Sequence, residues 1–240
     1  MEAKAVGPTA SASRFSRGKI WGYNRETGMA TPIVLVSSPK GGVGKSTIVK
    51  NMAVCAAQAH LRVLAVDLDP QRTLALWGER RPRTEVVQVE VLPSTYDEWS
   101  QSKRRFSAAS YDLVIVDTPP GVEHDVEVVK IVARDSRLVL LPTGPTSVDL
   151  DSVLPWANGL KAARISPTFL LNKTDRRRKS FRTAQRALLE VAPLAPVEIP
   201  SYEDIHIFDA RGLTPLDIAK GAGTSDLETL WAFLRGQIHG

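Results

Sequence analysis

The feature that most restricts how this chain can fold is an alternation. Short apolar, β-branched runs recur at residues 33–37, 62–67, 86–91, 112–117, 137–142 and 167–172, with a shorter one at 196–200. Between them lie stretches with helical spacing at 45–60, 72–81, 95–109, 123–135, 149–163, 178–192 and 224–238. Nearly continuous apolar strands are buried on both faces, and strands separated by helices pair in parallel through crossover connections. The expected architecture is α/β: a doubly wound, mostly parallel sheet with helices on both faces. The chain has 240 residues, 43% of them hydrophobic, enough to bury a full core in a domain over residues 31–240. The pattern leaves the strand order open.

Residues 1–30 lack this periodicity. They are basic and rich in Ala, Ser, Gly and Thr, and read as a flexible tail that Trp21 and Tyr23 could dock in part. The single cysteine, Cys55, excludes an internal disulfide and an all-cysteine metal site, which suggests a cytoplasmic protein. No apolar run approaches the ~20 residues needed to span a bilayer, and the N-terminal region has no apolar segment of the secretory kind. The net charge of +5 is compatible with a polyanionic partner.

Between the first apolar run and the first helical stretch stands SSPKGGVGKST, residues 37–47. A phosphate-binding loop requires Gly, four free positions, then Gly-Lys-Ser/Thr, placed between a strand and a helix. Gly44, Lys45 and Ser46 fit, whereas Pro39 takes the place of the first glycine and is followed by an additional lysine, Lys40. The backbone N–H groups of Gly41, Gly42, Val43 and Gly44 can converge on phosphate oxygens at a helix N-terminus. In such a loop Lys45 reaches the β- and γ-phosphates and the Ser46 hydroxyl binds Mg²⁺, with Thr47 next to the α-phosphate.

KGGVGKST resembles the deviant Walker A motif of the ParA/MinD family of dimeric ATPases. The resemblance implies that Lys40 is a signature lysine that crosses a dimer interface to the phosphates of the other subunit's nucleotide. A cation supplied in trans would stabilise charge on the transferring phosphoryl group, as an arginine finger does. Two further motifs extend the resemblance. Asp67-Leu68-Asp69-Pro70-Gln71 is similar to the family's D-x-D-P-Q, which implies that Asp69 positions the attacking water and Asp67 supports the Mg²⁺ environment. The run 112–121 ends in Asp117-Thr118-Pro119-Pro120-Gly121, where Asp117 reads as a Walker B carboxylate for Mg²⁺ and the rest resembles the family's switch segment. Residues 141–149, LPTGPTSVD, resemble P-x-x-P-S/T-x-x-D, with Asp149 also readable as a helix N-cap.

Asn172-Lys173-Thr174-Asp175 follows the sixth run. N-K-x-D is the guanine-reading pattern of GTPases, whereas the resemblance implies Asn172 against adenine, with Pro200 on the other side of the base. ATP with Mg²⁺ is the expected ligand, and GTP the alternative. The run 176–186 carries Arg176, Arg177, Arg178, Lys179, Arg182 and Arg186 and no acidic residue. Either it is a solvated helix face, or it contacts DNA phosphates without reading sequence, as the resemblance implies. Lys103, Arg104 and Arg105 form a second basic group. Leu227, Leu230, Trp231, Leu234 and Ile238 share one helical face, whose polar side is too acidic for a membrane-surface helix, so core packing is expected.

Together these features imply a nucleoid-associated, ParA-type ATPase. It would form a homodimer with ATP, bind DNA non-specifically and segregate or position cargo without engaging a membrane. A ParB-like or cargo-adaptor protein would stimulate its hydrolysis. A MinD-like membrane-positioned ATPase and a GTP- or ATP-using metabolic or assembly enzyme of the same fold are the alternatives.

Overall fold

The computed structural model describes residues 31–108, 111–121, 126–175, 177–218, 221 and 223–239. Seven strands are joined into one all-parallel sheet: β1 Ile33–Val36, β2 Val63–Asp67, β3 Glu90–Pro93, β4 Leu113–Asp117, β5 Leu138–Thr143, β6 Pro167–Thr174 and β7 Ile199–Pro200. The helices are α1 Lys45–Gln58, α2 Thr73–Arg80, α3 Trp99–Ala108, α4 Val126–Asp135, α5 Ser147–Ala162, α6 Lys179–Val191, α7 Glu203–Asp209 and α8 Thr224–His239. A 3-10 turn, Pro215–Asp217, stands between the last two.

The strand order is β3-β2-β4-β1-β5-β6-β7. From β1 the chain leaves toward β2, and from β5 it leaves in the opposite direction toward β6. The C-terminal ends of β1 and β5 therefore flank the crevice where open α/β sheets bind ligands.

Alternate residues of each central strand enter different cores. Ile33 and Leu35 of β1 join Val114 and Val116 of β4 under α3, α4, α5 and α6. Val34 and Val36 join Leu113 and Ile115 on the opposite face, under α1, α2 and α8. Helices thus cover both faces, as the alternation predicts. The apolar face of α8 lies in the second core: Leu227, Leu230, Trp231, Leu234 and Ile238 are all buried. At about 1.5–3 kcal/mol per fully buried large side chain, this face is a substantial part of that core. Among the described residues, no helix is long and apolar enough to cross a membrane.

Three local expectations are corrected. The third strand was expected at 86–91 but pairs with β2 only over 90–93. The carbonyl of Val87 is taken by the Arg81 Nε–H at 2.9 Å, so the chain reaches the sheet edge later. Helix α5 starts at Ser147, with Thr146 as its N-cap; Asp149 stands one turn in and completes a capping box. Helix α7 was not foreseen, because its seven residues are too few to carry a clear period.

The C-terminal segment is fastened to α2 by a buried ion pair. Arg81 and Asp217, 2% and 1% exposed, meet at 2.7 Å, and a second guanidinium nitrogen contacts the other carboxylate oxygen at 2.9 Å. The guanidinium also lies 5.1 Å from the centre of the Trp77 ring. Cys55 is buried in α1, where desolvation pushes its thiol up to about 12.

Candidate nucleotide-binding site

The phosphate loop runs from the end of β1 into α1. Gly44 is the N-cap of α1 at φ 95°, in the left-handed region, and a Cβ there would lie 2.3 Å from Asn172 Nδ2. Only glycine meets both conditions. Asn172, near the end of β6, donates from Nδ2 to the Val43 carbonyl at 2.7 Å, so its amide braces the loop from the β6 side. From the other flank, the Gly121 N–H donates to the Pro39 carbonyl at 2.8 Å, tying the DTPPG segment to the mouth of the loop. The Thr118 hydroxyl donates to the Val36 carbonyl at 3.2 Å.

The two lysines are placed differently. Lys45 is buried and turns back over its own loop, donating to the Lys40 carbonyl at 3.1 Å. Burial pulls its ammonium below the usual lysine range, against the opposing pull of Asp117 and Asp69. Lys40 is 37% exposed and reaches away from the loop to Asp149 Oδ1 at 2.5 Å. Asp149 Oδ2 accepts the hydroxyl and the N–H of Thr146, at 2.6 and 3.2 Å. Burial raises the pKa of Asp149, but the hydrogen bonds from Lys40 and Thr146 outweigh it and leave the carboxyl below its usual range.

Three aspartates stand at the ends of β2 and β4. Asp117 is wholly buried, and burial pushes its carboxyl up to about 7; Ser46 and Lys45 draw it down, while Asp67 and Asp69 raise it further. Neither of its oxygens has a partner in hydrogen-bond geometry. A fully buried carboxylate without a partner, beside the loop's hydroxyl, fits a divalent cation that brings its own charge. No cluster of three or more His, Cys, Asp or Glu residues suited to a metal occurs among the described residues. Mg²⁺ bound with a nucleotide needs no such cluster, since phosphates and water supply most of its ligands.

Asp67 is engaged by backbone. Its Oδ1 accepts the Asp69 N–H at 3.0 Å and its Oδ2 the Ala75 N–H at 2.9 Å, so it shapes the loop between β2 and α2. Burial pushes its carboxyl up, and these bonds partly offset the rise. Asp69 is half-buried at the turn of that loop and accepts the Gln71 N–H at 2.9 Å. Arg72 closes the turn at φ 55°, a left-handed conformation uncommon for arginine.

Next to the loop lies a small pocket of about 20 Å³, lined by Gly44, Thr47, Asn172, Pro200, Tyr202 and Ile205 among others. It adjoins a cleft of about 770 Å³ that includes Asp175, Arg177 and Arg178. Asp175 belongs to the cleft and not to the small pocket. Its Oδ1 accepts the Arg177 N–H at 3.1 Å, and its carboxylate faces the Arg177 and Arg178 side chains at 3.6 and 3.5 Å.

The fold thus collects Lys40, Gly41, Gly42, Val43, Gly44, Lys45, Ser46, Thr47, Asp67, Asp69, Asp117, Asn172 and Pro200 at the C-terminal ends of the strands. The basic run is divided. Arg177 and Arg178 border the cleft, whereas Lys179, Arg182 and Arg186 are exposed along α6; Arg176 lies outside the described residues, as does the tail. Lys103 of the second basic group is paired with Asp135. Sequence reasoning missed Tyr202 and Ile205 as pocket walls, and Asp149 as the partner of Lys40. It also missed Lys50, whose only signal is a charge inside the mostly apolar stretch of α1.

A parallel sheet with a glycine loop, a buried lysine and strand-end carboxylates at its switch point defines a P-loop nucleotide-binding protein. The sequence matches the CbiA family, the CobQ/CobB/MinD/ParA nucleotide binding domain, over residues 34–216. The chain belongs to this family, whose ParA and MinD members are nucleotide-binding ATPases. It is 34% identical over 173 residues to the maintenance of carboxysome distribution protein A of Gloeobacter kilaueensis, covering 71% of this chain and 74% of that one. To the chromosome partitioning protein ParA of Myxococcus xanthus it is 32% identical over 146 residues, covering 45% and 52%. In fold it is similar to MinD of Aquifex aeolicus in complex with MinC, with a TM-score of 0.73, 17% identity and coverage of 86% and 96%. A plasmid partition protein of Borrelia burgdorferi bound to AMPPNP aligns with a TM-score of 0.68, 16% identity and coverage of 87% and 100%.

Proposed function

We propose that this chain is a ParA-type ATPase that dimerises with Mg·ATP, binds DNA without reading its sequence and positions a cargo, with hydrolysis stimulated by a partner protein. The observation that carries this reading is the placement of Lys40. It flanks the phosphate loop, is partly exposed, and is held by a carboxylate outside the loop rather than spent on the loop itself. A lysine so placed can exchange Asp149 for phosphate oxygens of a nucleotide on a second copy. That exchange makes dimerisation depend on the triphosphate.

Within one subunit the loop amides and Lys45 grip the phosphates, and the Lys45 charge offsets what develops on the transferring group. Ser46 and Asp117 would hold Mg²⁺, which supplies charge neutralisation between the β- and γ-phosphates when bound. Asp69, on the loop shaped by Asp67, orients the attacking water. Reliance on a water-positioning carboxylate accords with slow turnover that an activator accelerates.

Adenine is favoured over guanine because Asp175 is engaged with Arg177 and Arg178 and lies outside the small pocket that Asn172 lines. The exposed cations of α6 support contact with DNA phosphates. The burial of the α8 apolar face in the core weighs against the MinD-like, membrane-positioned alternative. The relatives' names indicate the cargo class, a chromosome, a plasmid or a protein compartment such as the carboxysome; nucleoid association is part of this proposal.

The test is binding to random-sequence duplex with ATP, ADP and GTP, alongside light scattering for dimer formation. Dimerisation and DNA binding with ATP only support the reading; DNA binding that ignores the nucleotide, or none at all, overturns it.

A further inference from the structure

Lys50 stands in the stretch of α1 from Ile48 to Ala56, in which every residue is buried. Its side chain is 4% exposed, and its Nζ lies 2.6 Å from Asp209 Oδ1. A buried ammonium deprived of its counter-charge is strongly destabilising, so the core of α1 holds Asp209 firmly in place. Asp209 is the last residue of α7, whose described apolar side chains reach the core only in part, with Ile205 packed against its edge. Ile205 and Phe208 are only half-buried, and Glu203 and Ile207 are exposed. Polar ties hold its two ends: Lys50 at Asp209, and at the N-cap Tyr202, whose hydroxyl donates to Asp226 at 2.6 Å.

The near end of this helix forms one wall of the small pocket beside the phosphate loop, through Tyr202 and Ile205. The opposite wall includes Thr47, which lies one helical turn before Lys50 on the same face of α1. One helix therefore both lines the pocket and grips the far end of the facing wall. The pocket's volume of about 20 Å³ has room for roughly one water molecule. A purine that uses this pocket must either extend into the adjoining cleft, with which the pocket shares Lys173, Pro200, Ser201 and Tyr202, or shift a wall. Asn172 sits in the sheet and Gly44 in the braced loop, whereas α7 is held by the half-buried Ile205 at the core's edge and by polar contacts at its ends.

We propose that the Lys50–Asp209 ion pair positions α7 as the movable wall of the base pocket, and so sets how tightly and how selectively a nucleotide base is held. The proposal rests on the nucleotide-site reading above. Lys50 and Asp209 are positioning residues: they act on the base through Tyr202 and Ile205, and not on the phosphates.

This division can be measured. Binding of ATP, GTP and inorganic tripolyphosphate, each with Mg²⁺, is compared in the full chain and in Asp209→Asn, Lys50→Met and Lys50→Arg. Asp209→Asn is expected to weaken ATP about tenfold, the scale of one charge-assisted hydrogen bond, and to narrow the preference for ATP over GTP. Tripolyphosphate, held by the loop alone, is expected to bind unchanged. Lys50→Arg should retain near wild-type ATP binding, and Lys50→Met combined with Asp209→Asn should be no weaker than either single change, because the two residues act as one unit. Asp209 is 37% exposed, so its near-isosteric asparagine variant changes the charge facing Lys50 and not the shape of the helix end. Should that variant fail to fold, Lys50→Met, which removes the buried charge itself, reads the same quantity. Wild-type ATP affinity in Asp209→Asn and Lys50→Met, or an equal loss of ATP and tripolyphosphate, overturns the positioning role. A wild-type protein that binds tripolyphosphate but no nucleotide overturns instead the reading on which the proposal rests.

Discussion

Lys40 Nζ lies 2.5 Å from Asp149 Oδ1, and the two residues come from the loop after β1 and the first turn of the helix after β5, neighbouring strands in the middle of the sheet. The contact joins the mouth of the phosphate loop to the first turn of α5, where Asp149 is already fixed by its bonds to Thr146. In one subunit the lysine therefore has a defined resting partner. In the proposed dimer, a phosphate from a second copy would compete with a carboxylate for the same ammonium.

Replacing Lys40 by Gln removes the cation and leaves Lys45 and the loop amides in place. The expected product is a folded monomer that binds ATP but neither dimerises with it nor hydrolyses it. Light scattering with and without ATP checks this, and normal ATP-dependent dimers in Lys40→Gln would sink the trans role.

The ion pair also carries a pH signature. The Asp149 carboxyl is held below its usual range in the folded chain, so the stability it contributes is complete above the unfolded value of about 4 and is lost as pH falls through the lowered folded value. Melting temperatures measured from neutral to acidic pH should fall less steeply below about pH 4 in Asp149→Asn than in the wild type. Parallel curves would show that the pair contributes nothing to acid sensitivity.

Asp69→Ala removes the carboxylate assigned to the attacking water and leaves the Asp67 bond to the residue 69 N–H available. ATP binding and dimerisation should persist while hydrolysis slows by on the order of 10²–10⁴-fold. Phosphate release under saturating ATP decides it, and unchanged turnover would move the role to another group.

On α6, Arg182 and Arg186 are exposed and one turn apart, clear of the cleft that Arg177 and Arg178 border. If they touch phosphates, changing both to Ala weakens ATP-dependent binding to all duplexes alike. It also reduces the salt dependence by about 0.9 per lost contact in the slope of log affinity against log salt. Dimerisation should be untouched. A double variant with an unaltered slope would return these residues to an ordinary solvated face.

Arg81→Met leaves Asp217 buried without its counter-charge and frees the Val87 and Gly212 carbonyls. Breaking a buried pair on one side costs about 3–5 kcal/mol. Urea unfolding should show a loss of that order, and a change below about 1 kcal/mol, the scale of an exposed ion pair, would contradict the burial argument.

What the sequence by itself determined is whatever local order can encode. The apolar runs marked β1, β2, β4, β5 and β6 to within a residue or two, because a strand buried on both faces is apolar along its whole length. The phosphate loop was legible for the same reason, since Gly44, Lys45 and Ser46 act through spacing along one stretch of chain. The short edge strand β3 and the helix α7 were misplaced or missed, being too exposed to carry a full pattern. Only the tertiary structure decided which distant residues meet. Lys40 and Asp149 are separated by 109 positions and Lys50 and Asp209 by 159, and neither pair leaves a trace in local periodicity. The strand order β3-β2-β4-β1-β5-β6-β7 makes these pairs, because it sets β1 beside β5 and brings the segment after β7 back across α1. A charge's partner is chosen by where the sheet delivers it, and burial on both faces leaves the sheet's order open at the level of sequence, because many permutations of similar apolar strands satisfy it equally well.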